Sequence, residues 1–398
     1  MAGRVKSNFS FKIASLVLLN ICLFIIYLIG IKGEVKDNNI GKQKLSGREN
    51  FRELESFFTK LANEKGAIHA YEELKEAKLA PGTDLHLLGH IVGEEIYVQE
   101  GITAIVYCTP DLQYACSHAI ISRYLLENGE GNINKIKGIC DSLLEGSGGA
   151  YLQCFHGLGH GALAYVNYDL PKAIDLCQMA GAQGETRSCI GGVVMELVGG
   201  GLHNKKVWAQ QHDKYFSSAD PLAPCNKLFM PENSKSICYI FSTPYLLSYY
   251  NPQNITNGDN IKKAFELCSL IPSTEKENKT ACYGGFGKEF AVLAMDRQIK
   301  SGYIATNEEL TKAYNWCILA PERDGVLACI AYAVDAYYSN GDNPYTNAVN
   351  FCSLNESKYR DHCFKIIVNL VLKFNIDKKN IETFCSEIPE QFMYLCVE

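Results

Sequence analysis

Cysteine placement constrains this chain more than any other feature. Of its 17 cysteines, Cys22 lies in an apolar stretch near the start. The other sixteen fall into eight neighbouring pairs: 108/116, 140/154, 177/189, 225/238, 268/282, 317/329, 352/363 and 385/396. Within a pair 7 to 13 residues intervene, and between pairs 21 to 35. No Cys-x-x-Cys occurs, which disfavours zinc ribbons. Even, local, regular pairing points to disulfides made in an oxidising compartment rather than to the free thiols of a cytosolic protein. Closing each short loop contributes on the order of 3 kcal/mol.

The flanks repeat as well. Lys172-Ala-Ile-Asp-Leu-Cys177 matches Lys263-Ala-Phe-Glu-Leu-Cys268 and Lys312-Ala-Tyr-Asn-Trp-Cys317, and Asn347-Ala-Val-Asn-Phe-Cys352 is a looser copy. Alanine and cysteine, four apart, share a helical face. The second cysteine opens an apolar stretch, as in Cys189-Ile-Gly-Gly-Val-Val-Met-Glu196 and Cys282-Tyr-Gly-Gly-Phe-Gly-Lys-Glu289. The expected unit is a helix ending in cysteine, a polar loop, and a cysteine starting a second helix. Gly191/Gly192 and Gly284/Gly285 then fall in the first turn of that second helix, where glycine signals close helix contact. A period of 32 to 49 residues predicts an all-α array of about eight disulfide-clamped hairpins, an α-solenoid or α/α toroid. Phe51–Ala62 and Ala67–Lys78 read as a cysteine-free helical pair capping it.

Ile13–Ile31 is uncharged for 19 residues, close to the roughly 20 that span a bilayer. We therefore expect a cytoplasmic N-terminus over 1–12, a transmembrane anchor over 13–31, a polar tether over 32–48 and an extracytoplasmic helical domain over 49–398. The net charge of −6 gives no reason to expect nucleic acid as a partner. The partners expected are the membrane, through 13–31, and a protein or peptide ligand. Sequons stand at Asn254, Asn278 and Asn355.

Five of the nine histidines lie between 86 and 160, in the His-rich part 80–165. His86-Leu-Leu-Gly-His90 and His156-Gly-Leu-Gly-His160 share one frame, and Cys116-Ser-His118 repeats the spacing of Cys154-Phe-His156. Histidines four apart on a helix can aim two imidazoles at one ion. His86, His90, His118, His156 and His160 are therefore candidate ligands for a divalent metal, zinc or iron. Glu94 continues the first stripe as a ligand or general base, the candidate catalytic residue. Later units lack these histidines, with Glu196 and Glu289 one residue past the His160 position. His69, His203, His212 and His362 lack such company and read as ordinary surface or core residues. No His-Glu-x-x-His, Gly-x-Ser-x-Gly or P-loop is present.

The repeat length and alanine usage loosely resemble tetratricopeptide and Sel1-type repeats, whose consensus residues are not matched. From Asp84 onward the chain resembles uncharacterised membrane-anchored microbial proteins carrying Cys-x-His-Gly and His-x-x-Gly-His motifs in paired-cysteine helical repeats. The resemblance implies the fold but no activity. The expected function is metal binding, with hydrolase or oxidoreductase chemistry as its enzymatic form. The rival is a non-catalytic scaffold whose concave surface holds a protein or peptide.

Overall fold

The computed structural model describes residue 45 and residues 47–396, apart from 144–147, 201–202, 218, 301, 339–344 and 375–377. The expected anchor 13–31, the segment 1–12 and most of the tether lie outside the described residues. Among the described residues, no helix is long and apolar enough to cross a membrane.

The described residues are helical, with no strand beyond one isolated bridge between Ser217 and Asp220. The expected cysteine-free pair forms α1 (Phe51–Lys65) and α2 (Ala67–Glu76). Asn50 and Glu53 make a capping box that sets the start of α1, satisfying two orphan donors reciprocally. There follow α3 (Leu85–Glu100), α4 (Ala115–Asn128), α5 (Ile133–Asp141), α6 (Gly148–Tyr165), α7 (Leu170–Gln178), α8 (Gln183–Gly199) and α9 (Lys205–Tyr215). The remainder comprises α10 (Lys235–Ser248), α11 (Gly258–Ser269), α12 (Lys276–Ala294), α13 (Asn307–Cys317), α14 (Arg323–Tyr338), α15 (Thr346–Leu354), α16 (Ser357–Phe374) and α17 (Lys378–Glu387).

All eight cysteine pairs stand at disulfide distance, with Cα–Cα separations of 5.4 to 6.2 Å. So many disulfides fit an oxidising, extracytoplasmic environment. Five clamp helix to helix: α5/α6, α7/α8, α11/α12, α13/α14 and α15/α16. The other three depart from the expected hairpin. Cys108 follows a 3-10 helix, Cys225 sits among turns, and Cys396 ends a 3-10 helix.

A second departure concerns where the second helices begin. Cys154, Cys189, Cys282, Cys329 and Cys363 are each the seventh residue of their helix, not its first. The polar residues read as loop are opening turns that are in part exposed, with Glu185, Glu277 and Asp324 placed where the helix dipole favours an anion. Gly191/Gly192 and Gly284/Gly285 therefore lie in mid-helix, as its ninth and tenth residues.

The cysteine-free α3 and the cysteine-bearing second helices form an inner layer. In it α3, α4, α6, α8, α10, α12, α14 and α16 each pack on the next. The curve closes where Gly82 N donates to Asp296 O at 2.9 Å, Lys300 Nζ donates to Ala77 O, and Arg297 pairs with Asp84 at 3.8 Å. The turn from α3 to α12 thus encircles a central cavity. Of the sequons at Asn254, Asn278 and Asn355, Asn254 is exposed and the other two are buried.

Candidate metal centre

The cavity wall begins with α3. Asp84 caps that helix by accepting Leu87 N at 3.0 Å, which fixes His86 and His90 one turn apart. His118 comes from α4, and His156 and His160 from α6. Ring centroids stand 4.7 Å apart for His86–His90, 5.2 Å for His90–His160, 5.7 Å for His90–His118 and 5.5 Å for His118–His160. One ligand atom from each of His86, His90, His118 and His160 lies within 4.8 Å of all the others. A Cβ on Gly159 would overlap the carbonyl oxygen of Cys189 on α8. Glycine there lets α6 and α8 meet backbone to backbone, which puts Glu196 beside His160.

Each ring has two nitrogens, and three of the four spend one outward. His160 Nδ1–H donates to Glu196 Oε2 at 3.0 Å, and Tyr168 OH donates to the other Glu196 oxygen at 3.1 Å. His118 Nε2–H donates to Gln153 Oε1 at 3.0 Å. His86 Nδ1–H donates to the carbonyl of Leu112 at 2.8 Å. These bonds fix the tautomers and leave lone pairs on His160 Nε2, His118 Nδ1 and His86 Nε2. The first two are buried and have no hydrogen-bond partner. His90 Nε2 stands 3.1 Å from His86 Nε2. Neighbouring nitrogens at about 2.1 Å from one ion are about 3.0 to 3.4 Å apart, from octahedral to tetrahedral geometry.

The Leu112 carbonyl is aimed by unusual backbone. Leu112, Gln113 and Tyr114 all take left-handed φ angles of 57°, 57° and 62°. Non-glycine residues there cost roughly 1–3 kcal/mol each and persist only where the surroundings over-determine them. The Cys108–Cys116 disulfide closes the loop that contains all three.

His156 adjoins the centre without joining that set. Its ring lies 5.0 Å from His118 and 5.1 Å from His160, and its Nε2 faces the Met195 sulfur at 3.4 Å. Glu94 points elsewhere: its carboxylate approaches Arg123 at 3.8 Å and His203 at 3.6 Å, and it does not line the cavity. Helical drift over two turns turns it off the His86/His90 stripe. His203 therefore has company that its sequence position hides, whereas His69 is a surface residue beside Glu73. Glu196, Tyr168, Gln153 and the Leu112 carbonyl escaped the sequence reading. Only Glu196 carried a signal, its place one residue past the His160 position.

Burial favours the neutral form of His86, His90, His118 and His156. It pushes His86 down to about 4, with the Lys288 charge acting in the same direction. Desolvation also depresses His90, His118 and His156, and it raises Glu94. Neutral imidazole is the form that binds metal. On one side His86, His90 and His160 face a cavity of about 190 Å³, whose wall continues through Glu196, Phe241, Lys288 and Glu289. That wall follows the repeat. Cys154, Cys189, Cys238 and Cys282 are each followed six residues later by a lining residue: His160, Met195, Pro244 and Lys288. No protein-family model matches the chain, and no curated protein or solved structure is significantly similar to it.

Proposed function

We propose that the protein is a membrane-anchored extracytoplasmic metalloprotein in which His86, His90, His118 and His160 hold one divalent zinc or iron ion. In this reading residues 13–31 cross the membrane, residues 1–12 lie in the cytoplasm and the helical body lies outside. The observation that carries the metal reading is the outward spending of three ring N–H groups, which leaves buried lone pairs converging from three helices. An imidazole set without thiolate suits zinc, iron, copper or nickel. Glu196 and Gln153 act as the outer partners that orient metal-binding histidines.

The cavity distinguishes a reactive centre from a structural one, since catalytic metal sites keep an open position. Such an ion polarises a bound oxygen and lowers the pKa of a bound water. Hydrolysis or oxidation of a small molecule is therefore the activity the site supports best. The chain's own part is to orient the rings, to exclude bulk water by burial, and to hold the Glu196 carboxyl between His160 and Tyr168.

The test is metal content with an outer-shell variant. Purified full-length protein should carry about one metal per chain by mass spectrometry. Glu196→Gln should lower metal affinity about 10- to 100-fold, as outer-partner changes typically do. Undiminished affinity in that variant, or no stoichiometric metal in the parent, would refute the reading.

A further inference from the structure

The cavity has a second end. Five charged side chains line it: Asp84, Glu196, Glu289, Lys288 and Arg297. The three carboxylates are already engaged. Asp84 caps α3 and faces Arg297, Glu196 takes His160 and Tyr168, and Glu289 faces Lys288 at 2.5 Å. Lys288 has three N–H donors, and Glu289 accepts one of them. Its ammonium also lies 5.1 Å from the centre of the Phe241 ring, and the side chain is only 27% exposed. Arg297 and Asp84, at 40% and 41% exposure, stand at the outer end.

Charge then selects the ligand. Three carboxylates against two cations leave the lining one negative charge in excess. A divalent ion held by the histidines would turn that excess into one positive charge. The half-buried donors of Lys288 and the apolar faces of Phe241, Pro244 and Val292 share the same small space. We propose that the cavity takes a small monoanionic organic acid, its carboxylate held between Lys288 and the histidine centre and its apolar body against Phe241. The proposal rests on the metal reading above and names the ligand class of that site. Lys288 is its specificity-determining residue.

The probe is benzoate, with benzamide as its neutral isostere, titrated into full-length protein in detergent loaded with cobalt(II). Binding is followed by the cobalt visible spectrum and by calorimetry. Benzoate should perturb the spectrum and bind at least tenfold more tightly than benzamide. Lys288→Met should cost benzoate at least tenfold while cobalt stays at one per chain, and Lys288→Arg should retain binding. Equal affinity for the two probes on cobalt-loaded protein, or undiminished benzoate binding in Lys288→Met, would overturn the monoanion proposal alone. Failure of the parent to take up cobalt would overturn the metal reading and this proposal together.

Discussion

The packing of α6 on α8 and of α12 on α14 is the same contact made twice. A Cβ on Gly159 would overlap the carbonyl of Cys189, and a Cβ on Gly287 would overlap that of Cys329. Both glycines stand five residues after their own cysteine. His160 and Lys288, six residues after each cysteine, both line the cavity, but the other side chains around the two contacts differ. In the first, the positions two and six residues after the cysteine are His156 and His160, turned toward a polar centre. In the second they are Gly284 and Lys288. There the ring of Tyr332 lies against Gly284, and Phe265, Phe286, Phe290 and Trp316 pack with tilted rings at centroid distances of 4.5 to 6.0 Å. The cysteine and the glycine fix how helices approach. The residues between and after them decide whether the space becomes apolar core or chemistry.

Mutating the two regions in parallel sharpens that contrast. Phe286→Ala should cost about 3–5 kcal/mol in chemical denaturation, the usual range for emptying a buried aromatic site. It should leave metal stoichiometry untouched. His160→Ala should do the reverse, abolishing stoichiometric metal with a smaller loss of stability in metal-free protein. Equal behaviour of the two variants in both assays would erase the distinction.

The glycines should behave alike in stability and differently in function. Gly159→Ala and Gly287→Ala each force backbones apart, at about 1–3 kcal/mol. Only Gly159→Ala should weaken metal binding, because it parts His160 on α6 from Glu196 on α8. Retention of full metal affinity by Gly159→Ala would detach the site from the helix packing.

The smallest effect is regional sensitivity to acid. His86 titrates near 4 in the folded protein, against 6.5 ordinarily. Between those values the unfolded chain binds more protons, so stability falls as pH drops from about 6.5 toward about 4. His90, His118 and His156, also depressed, act in the same direction. Amide exchange should therefore accelerate first in α3, α4 and α6 of metal-free protein, with α12 and α14 lagging. Uniform acceleration would contradict the local origin.

Much of this was legible in the sequence. Paired cysteines point to the disulfides, the repeated His-x-Leu-Gly-His to three residues of the centre, His86, His90 and His160, and the Cys-x-His spacing to the fourth, His118, because all follow local spacing. Helix starts were misplaced by six residues because Gln183–Ser188 and Lys276–Ala281 are polar, and a solvated opening turn has the composition of a loop. Glu94 was assigned by extending a stripe for two turns, over which helical drift carries a side chain aside. The orienting groups, Gln153, Tyr168 and the Leu112 carbonyl, reach the rings only through tertiary packing. Ring closure through Gly82 and Asp296 pairs residues too far apart in sequence to leave any periodic trace.

The central claim is that four imidazoles from three helices bind one ion. X-ray absorption at the metal edge of zinc-loaded full-length protein tests it directly. The account predicts nitrogen scatterers at about 2.0–2.1 Å, with outer-shell scattering from four imidazole rings. A first shell dominated by sulfur, or by oxygen without imidazole scattering, would contradict it.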